Sequence, residues 1–463
     1  MTTGITRYDA VVGHGEGAAV DVHAAAVFIV GCFVFGDLAA GHIERTVEIY
    51  AAAKLRRIVI GDFTTVHIEC TVIIHTATVL CFVADDAAAV HIECTAVNIY
   101  TTAEFCIASG DNAAGGKQEV LGVQYANYLR PTVNIGGKEY KVELDIQDNQ
   151  SSADKAPSAA QQLIADGCAV VLGSYGSGVS IAAGSYFADA KVPAIGVSCT
   201  NAAVTAGNDW YFRTCFLDPF QGSVMASFAK DECAASKAYV LSMLGEDYGV
   251  GLAKNFVNAF VAMGGEVVGE ENFPEGNSDF SSYLQNALDA GAEVIFAPSA
   301  TTYAALIIEQ ANTKGIQIPI LAGDTWESSV ISEAQAKTNG VDVFCSTFFD
   351  ENDESGLAKE FVSGYKAWLN ANPDKLTNNG NNDIVAAVSA LGFDAYNVAL
   401  DAIEAAGSVK GEDIQAALVA LSGNYVTGAI AFDANGDAIK DTAYIKQAVD
   451  GGFQFVKVQT TAG

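Results

Sequence analysis

The stretch VVLGSYGSGVSIAAGSYFADAKVPAIGVSCTNAAVT, residues 170–205, contains two short apolar runs, each followed by small polar residues. The runs, 170–173 and 192–197, are rich in β-branched residues and have the length of buried parallel strands. Residues 181–190, between them, have the apolar spacing of a helix. Strand, polar turn and helix in this order predict an open parallel α/β sheet, which binds its ligands at the carboxyl edge.

The turns after these two strands carry the first candidate ligand-binding residues. Ser177 follows the first strand and is predicted to be the N-cap of the helix, whereas Ser198, Cys199 and Thr200 follow the second strand. Hydroxyl groups and the free N–H groups of a helix N-terminus favour an anion. The turns lack the lysine of a phosphate-binding loop, so the sequence predicts a small anion such as a carboxylate. The alternative for Ser177 is that it only caps its helix.

Length, composition and net charge exclude several classes of protein. A chain of 463 residues, half of them hydrophobic and 17% charged, is long enough for two or three packed domains. Its net charge of −31 argues against binding to nucleic acid or to an anionic membrane surface, because both require clustered Lys and Arg. No apolar run is long enough to cross a membrane, and the first twenty residues lack the pattern of a secretory signal. The ten cysteines have no spacing typical of a disulfide framework.

Residues 1–104 differ in composition from the rest and contain a repeat. A unit with His-Ile-Glu at its centre recurs around His42, His67 and His91, which predicts stacked β-units. The pairs His67–Cys70 and His91–Cys94 offer zinc ligands, but positions i and i+3 of a strand point to opposite faces, so no metal site is predicted. An alternative interpretation is that this segment is translated out of its proper reading frame, and we assign it no function.

From residue 110 onward, predicted strands alternate with helices of ten or more residues. This alternation predicts a mostly parallel, doubly wound α/β structure, and the strands are too numerous for one sheet. One strand is predicted over residues 140–148. The end of the chain has the pattern of antiparallel β-structure with a hairpin turn at Asn435-Gly436. The acidic residues of that turn lack the spacing of a calcium loop.

Several motifs of this second part occur together in one known family. They are Gly173-Ser-Tyr-Gly-Ser177, Ile195-Gly-Val-Ser-Cys-Thr-Asn201, Asp218-Pro-Phe-Gln-Gly222, Asp247-Tyr248-Gly and Gly323-Asp324-Thr-Trp326. With them, residues 105–463 resemble the type I periplasmic binding proteins of the leucine/isoleucine/valine-binding type, the solute receptors of branched-chain amino-acid ABC transporters. One departure is that residues 105–110 keep only the end of the family's first strand and its Gly-Pro loop, so the first strand is expected to be damaged.

The resemblance implies two Rossmann-like lobes joined by a three-strand hinge, with the ligand enclosed when the hinge closes. Lobe 1 would contain residues 105–220 and 347–425, and lobe 2 would contain residues 221–346 and 426–463. It also implies that the Ser177 and Thr200 hydroxyls bind the ligand carboxylate and that Tyr248 closes over the ligand from lobe 2. Alone, a loop tyrosine is more often packing.

For the ligand's α-ammonium group the expected partner is Asp324, beside Trp326 as an apolar or cation–π wall. Glu327 is the alternative acid, because the best-known relatives use a glutamate nearby. Asp324 could instead only cap the following helix.

The resemblance therefore implies an extracytoplasmic solute receptor that captures a small amino acid and works with a membrane ABC permease, as a monomer without a cofactor or nucleic acid. The alternative is a ligand-sensing domain of a regulatory or receptor protein. The sequence argues against an enzyme with a Ser-His-Asp or Cys-His triad in this part, since every histidine lies before residue 112. Aliphatic, polar and non-amino-acid carboxylate ligands all remain open.

Overall fold

The computed structural model describes residues 109–354 and 356–460, together with the backbone of four earlier strands. The chain divides into two compact units, Met1–Ile99 and Tyr100–Gly463. In the first unit, β1 (His42–Ile49), β2 (Val66–Ile74) and β3 (Val90–Cys94) form a parallel sheet that pairs equivalent positions of the repeat. The side chains of the His–Cys pairs lie outside the described residues, so zinc binding there is untested.

In the second unit, strands and helices alternate. Its described strands are β4 (Thr102–Cys106), β5 (Thr132–Ile135), β6 (Lys138–Lys141), β7 (Leu144–Asp148), β8 (Val171–Leu172), β9 (Ala194–Gly196), β10 (Tyr211–Arg213), β11 (Lys237–Met243), β12 (Glu266–Phe273), β13 (Val294–Phe296), β14 (Ile320–Ala322), β15 (Val343–Thr347), β16 (Ser422–Tyr425), β17 (Gly428–Ala431), β18 (Ala443–Val449) and β19 (Gly452–Gln459). Its described α-helices are α1 (Ala113–Leu129), α2 (Ala156–Ala165), α3 (Ser177–Ala190), α4 (Asp218–Asp231), α5 (Asp247–Ala262), α6 (Ser281–Asp289), α7 (Thr301–Lys314), α8 (Ser329–Ala336), α9 (Gly356–Ala371), α10 (Pro373–Asn378), α11 (Ala387–Ala406) and α12 (Gly411–Val419).

The first sheet of this unit has the strand order β10-β9-β8-β4-β7, and all its neighbours are parallel. The chain moves outward from β4 in one direction to β7 and in the other direction from β8 to β10. The strand order therefore reverses between β4 and β8, which is where open α/β sheets bind ligands. The expectation of a damaged first strand is wrong, because β4 hydrogen-bonds to a strand on each side in the middle of the sheet.

The second sheet has the order β12-β11-β13-β14-β15-β18-β19. Strands β11 to β15 are parallel, and β18 and β19 are antiparallel, as the sequence predicts for the end of the chain. Its strand order reverses between β11 and β13. The predicted strand over residues 140–148 is wrong, because β6 pairs with β5 in a hairpin while β7 joins the first sheet. The strand is interrupted at Val142, which is buried and whose N–H donates to the carbonyl of Pro131 (2.8 Å).

Strands β8, β9, β13 and β14 are fully buried, which explains why they occur as short apolar runs rather than as alternating patterns. The fold is the predicted α/β class of two doubly wound sheets with helices. The residue boundaries of the two lobes stay a prediction. Among the described helices, none combines the length and hydrophobicity needed to span a bilayer.

Candidate functional site

Loops from the carboxyl ends of both sheets meet in the second unit. The loop after β8 contacts the turn after β14, where the Tyr175 hydroxyl donates to the carbonyl of Thr325 (3.4 Å). The loop after β9 contacts the start of α5, where the Asn201 amide donates to the carbonyl of Asp247 (2.7 Å). The two edges at which ligands are expected therefore face each other.

Ser177 connects two loops of the first sheet. It is the first residue of α3. The N-cap is Gly176, whose backbone is extended (φ −98°, ψ 135°), so the helix begins after it. The prediction that Ser177 is the N-cap is therefore wrong. Its hydroxyl oxygen instead accepts a hydrogen bond from the backbone N–H of Asn201 (3.2 Å). The hydroxyl proton is left to donate to another group.

The three residues after β9 point in different directions. The Ser198 hydroxyl donates to Oε2 of Glu119 (2.6 Å). The Cys199 thiol lies against Gly196 of the strand itself, and burial raises its pKa to about 11. The buried Thr200 hydroxyl has no well-formed hydrogen bond within the described residues. Of the two hydroxyl groups, that of Ser198 therefore has a partner inside the protein and that of Thr200 lacks a well-formed one.

Arg213 fixes the backbone around Thr200. Its buried guanidinium pairs with Asp437 (2.5 Å) and donates to the carbonyls of Cys199 (2.8 Å) and Asn201 (2.7 Å). The charge of Arg213 is thus balanced by Asp437 inside the protein. One guanidinium nitrogen that donates to the carbonyls on either side of Thr200 holds this loop in one geometry.

On the second sheet, Asp324 follows β14 and is 2% exposed. Its Oδ1 accepts hydrogen bonds from the Gln221 amide (2.8 Å) and from the Tyr248 hydroxyl (3.0 Å). Burial raises its pKa to about 6, although these two hydrogen bonds oppose the rise. Asp324 does not cap the next helix, because the N-cap of α8 is Ser328.

The two residues beside Asp324 have partners inside the protein. Trp326 is fully buried in the apolar core of the second sheet, and its indole N–H donates to the carbonyl of Ser299 (3.2 Å). The carboxylate of Glu327 pairs with Lys446 (2.5 Å). Asp324 has no such ion pair among the described residues, so it is the better acid for a ligand ammonium group. The role of Trp326 as a wall of the site stays a prediction.

Asp218 is a residue of the site that the sequence analysis did not assign. It begins α4 and is 1% exposed, and neither of its carboxylate oxygens has a hydrogen-bond partner among the described residues. Its N–H donates to the carbonyl of Thr200 (2.9 Å). Burial raises the pKa of Asp218 to about 8, the nearby Thr200 hydroxyl partly offsets this, and the charge of Asp324 adds to it. Asp218 is therefore close to groups from both sheets.

Gln221 lies one helical turn after Asp218, and both side chains are buried. A signal for the pair was present in the Asp-Pro-Phe-Gln motif, since positions i and i+3 at the start of a helix share a face. The motif alone did not show that this face is buried against Asp324.

Glu119, from α1, is the third buried acid of the site. Its Oε2 accepts the hydrogen bond from Ser198, and its Oε1 has no partner among the described residues. Burial raises its pKa to about 8, the Ser198 hydrogen bond opposes this, and the charge of Asp324 adds to it. The site thus combines the Thr200 hydroxyl, which lies beside Asp218, with three buried carboxyl groups that have no ion pair within the described residues.

Comparison with known proteins places the chain in a family. The model of the Periplasmic binding protein family matches residues 106–452. The chain belongs to this family. The resemblance seen in the sequence motifs is thereby confirmed, and the family is one of extracytoplasmic solute-binding proteins rather than enzymes.

Several relatives of this periplasmic binding protein each cover at least 75% of the chain. A Leu/Ile/Val-binding protein homolog 1 from Brucella abortus is 25% identical over 366 residues, which cover 75% of this chain and 91% of the relative. A leucine binding protein, LivK, from Thermotoga maritima is 32% identical, with a TM-score of 0.71 over 78% of this chain and 98% of that structure. The branched-chain amino acid transporter substrate binding protein LivJ from Streptococcus pneumoniae, solved with isoleucine, is 27% identical, with a TM-score of 0.67 over 78% and 99%.

Proposed function

We propose that this periplasmic binding protein is the extracytoplasmic receptor of an ABC transporter. It captures a small amino acid between its two sheets by closure of the hinge, in a one-to-one complex, and delivers it to a membrane permease. The relatives named as leucine-binding and solved with isoleucine support an amino acid as the ligand class.

The observation that carries the proposal is the division of chemistry between the two edges. On the first sheet, the Ser177 and Thr200 hydroxyls and the N–H groups at the start of α3 suit a carboxylate. On the second sheet, Asp324 is a buried acid without an ion pair among the described residues, and Asp218, at the start of α4, interacts with it; the two acids suit an ammonium group. An α-amino acid carries both groups on one carbon atom and satisfies both sides together.

Titration calorimetry of the full chain against a panel of free α-amino acids tests the ligand class. We expect at least one of them to bind with a stoichiometry of one. If no α-amino acid gives a binding isotherm, the proposed function is wrong.

The variant Asp324→Ala tests the ammonium site. Because a desolvated ion pair is lost, we expect the ligand affinity to fall by at least about 2 kcal/mol, a factor of about 30 in the dissociation constant. Asp231→Ala, which removes an exposed carboxylate at the end of α4, is the control and should leave affinity unchanged. An unchanged dissociation constant for Asp324→Ala, with native circular dichroism, would assign the ammonium site to another residue.

A further inference from the structure

Glu119 has no role in the proposed binding of the ligand's carboxylate and α-ammonium groups. Its carboxyl group is 1% exposed and comes from α1, an element that the proposed carboxylate and ammonium sites do not use. One oxygen, Oε2, is fixed by Ser198, which lies only two residues before Thr200. The other oxygen, Oε1, has no hydrogen-bond partner among the described residues. A buried acceptor without a partner costs free energy, so a donor is expected to meet it when the ligand is bound.

The charges around Glu119 do not supply that donor. The titratable groups that interact with it electrostatically are Asp324, Tyr175, Cys199 and Tyr211. None of these is a cation. The two buried cations near the site are engaged elsewhere, since Arg213 pairs with Asp437 and Lys446 pairs with Glu327. A cation that pairs with Glu119 would therefore come from outside the described residues.

Resting on the proposed function, we propose that the ligand is a basic amino acid whose side-chain amine or guanidinium binds Glu119. In this arrangement the α-ammonium group binds Asp218 and Asp324, and the second cation donates a hydrogen bond to the free Oε1 of Glu119. Ser198 is then a positioning residue, because its hydrogen bond sets which carboxylate oxygen faces the ligand.

Charge balance favours a dicationic ligand over a neutral amino acid. Glu119 and Asp218 are largely protonated in the ligand-free protein, because burial raises the pKa of each to about 8. A neutral amino acid offers one ammonium group, which leaves Oε1 of Glu119 without a partner. A basic amino acid offers a second cation, so Glu119 can ionise and form a hydrogen-bonded ion pair in the desolvated site.

Matched ligand pairs of equal chain length test this inference by titration calorimetry. Ornithine is compared with norvaline, and lysine with norleucine, so that only the terminal amine differs. We expect the amine-bearing member of at least one pair to bind at least ten times more tightly than its neutral partner. If both neutral partners bind as tightly or more tightly, the inference is wrong and the proposed function stands. If none of the four ligands, nor any other α-amino acid, binds, both are wrong.

The variant Glu119→Gln tests whether this residue causes the preference for the amine-bearing ligand. It should remove most of the preference for the amine, so that the dissociation constants of the two members of a pair approach each other. Glu412→Gln, at an exposed position of α12, is the control and should keep the full preference. A Glu119→Gln protein that still prefers the amine tenfold would contradict the assignment.

A second readout on the unaltered protein does not depend on that variant folding. In the ligand-free protein Glu119 is mostly protonated at pH 7, because burial raises its pKa to about 8. A cation bound to it requires the ionised form, so ornithine should release about one more proton than norvaline. The number of protons is obtained from calorimetry in two buffers of different ionisation enthalpy. Equal proton release for the two members of a pair that both bind would overturn the inference.

Discussion

Glu119 and Asp218 are carboxyl groups that lose their water on folding without gaining a cation among the described residues. Burial raises the pKa of each to about 8, compared with about 4 for such side chains in an unfolded chain. Both are therefore largely protonated in the native, ligand-free protein at pH 7. Glu327 differs from them, because a single nearby lysine, Lys446, forms an ion pair with it.

These two residues predict how stability depends on pH. The native state binds about two more protons than the unfolded state at pH 7, so the free energy of unfolding decreases as pH rises from about 4 towards 8. Burial raises the pKa of Asp324 and Asp394 to about 6, which acts in the same direction at lower pH. We expect the melting temperature of the ligand-free protein to be several degrees lower at pH 8.5 than at pH 6, measured by circular dichroism. Asp218→Asn should reduce this difference, and a variant with the same pH dependence as the unaltered protein would contradict the prediction.

At the scale of the element, α1 and α11 pack through two glycines. A Cβ atom at Gly122 would collide with the backbone carbonyl of Ser389, and one at Gly392 would collide with the carbonyl of Glu119. The two helix backbones therefore touch where a side chain would keep them apart. This contact matters for the site, because it sets the depth at which α1 holds Glu119.

The variant Gly122→Ala tests this contact. Alanine favours a helix by about 1 kcal/mol, but backbone atoms of the neighbouring helix cannot move aside, so we expect a net loss of about 2 kcal/mol or more in the free energy of unfolding. Urea denaturation measures it. Gly184→Ala in α3 is the matched control, since its Cβ would meet only side-chain atoms, the nearest being Nδ2 of Asn208 at 3.0 Å. Equal stability of the two variants would contradict close backbone packing at Gly122.

For the whole molecule, the two sheets meet through contacts between loops rather than through a shared sheet. Asp111, before α1, adds another such contact, because its carbonyl accepts a hydrogen bond from the Thr301 hydroxyl (3.0 Å) at the start of α7. Such polar contacts between loops are few enough to break when a hinge opens, and the ligand would restore them on closure.

An engineered disulfide tests whether the two sides separate. A Cβ atom at Gly178 would lie 3.9 Å from Cβ of Asp247, which is within the range of a disulfide. We expect the double variant Gly178→Cys/Asp247→Cys, when oxidised, to exclude ligand from the closed site and to regain binding after reduction. Non-reducing electrophoresis and calorimetry with and without reductant measure this, and Gly178→Cys alone is the control. Unchanged ligand affinity and stoichiometry in the oxidised protein would argue against hinge opening.

The sequence by itself determined the class of fold and the places where loops carry chemistry. Short apolar runs such as 192–197 are strands because a parallel sheet covered on both faces leaves no room for polar alternation. Polar residues directly after those runs, Thr200 and Asp324 among them, had to lie at the carboxyl edges of sheets. These inferences depend only on local pattern and on the geometry of a strand.

Only the tertiary structure decided which buried acids pair with a cation and which do not. Lys446 lies 119 residues from Glu327, and Glu119 lies 79 residues from Ser198, so no local pattern could reveal either pair. The break in the predicted strand over residues 140–148 likewise depends on a hydrogen bond to Pro131. The physical reason is that a carboxyl group's protonation and partners follow from burial and from distant charges, and both are set by how the chain packs.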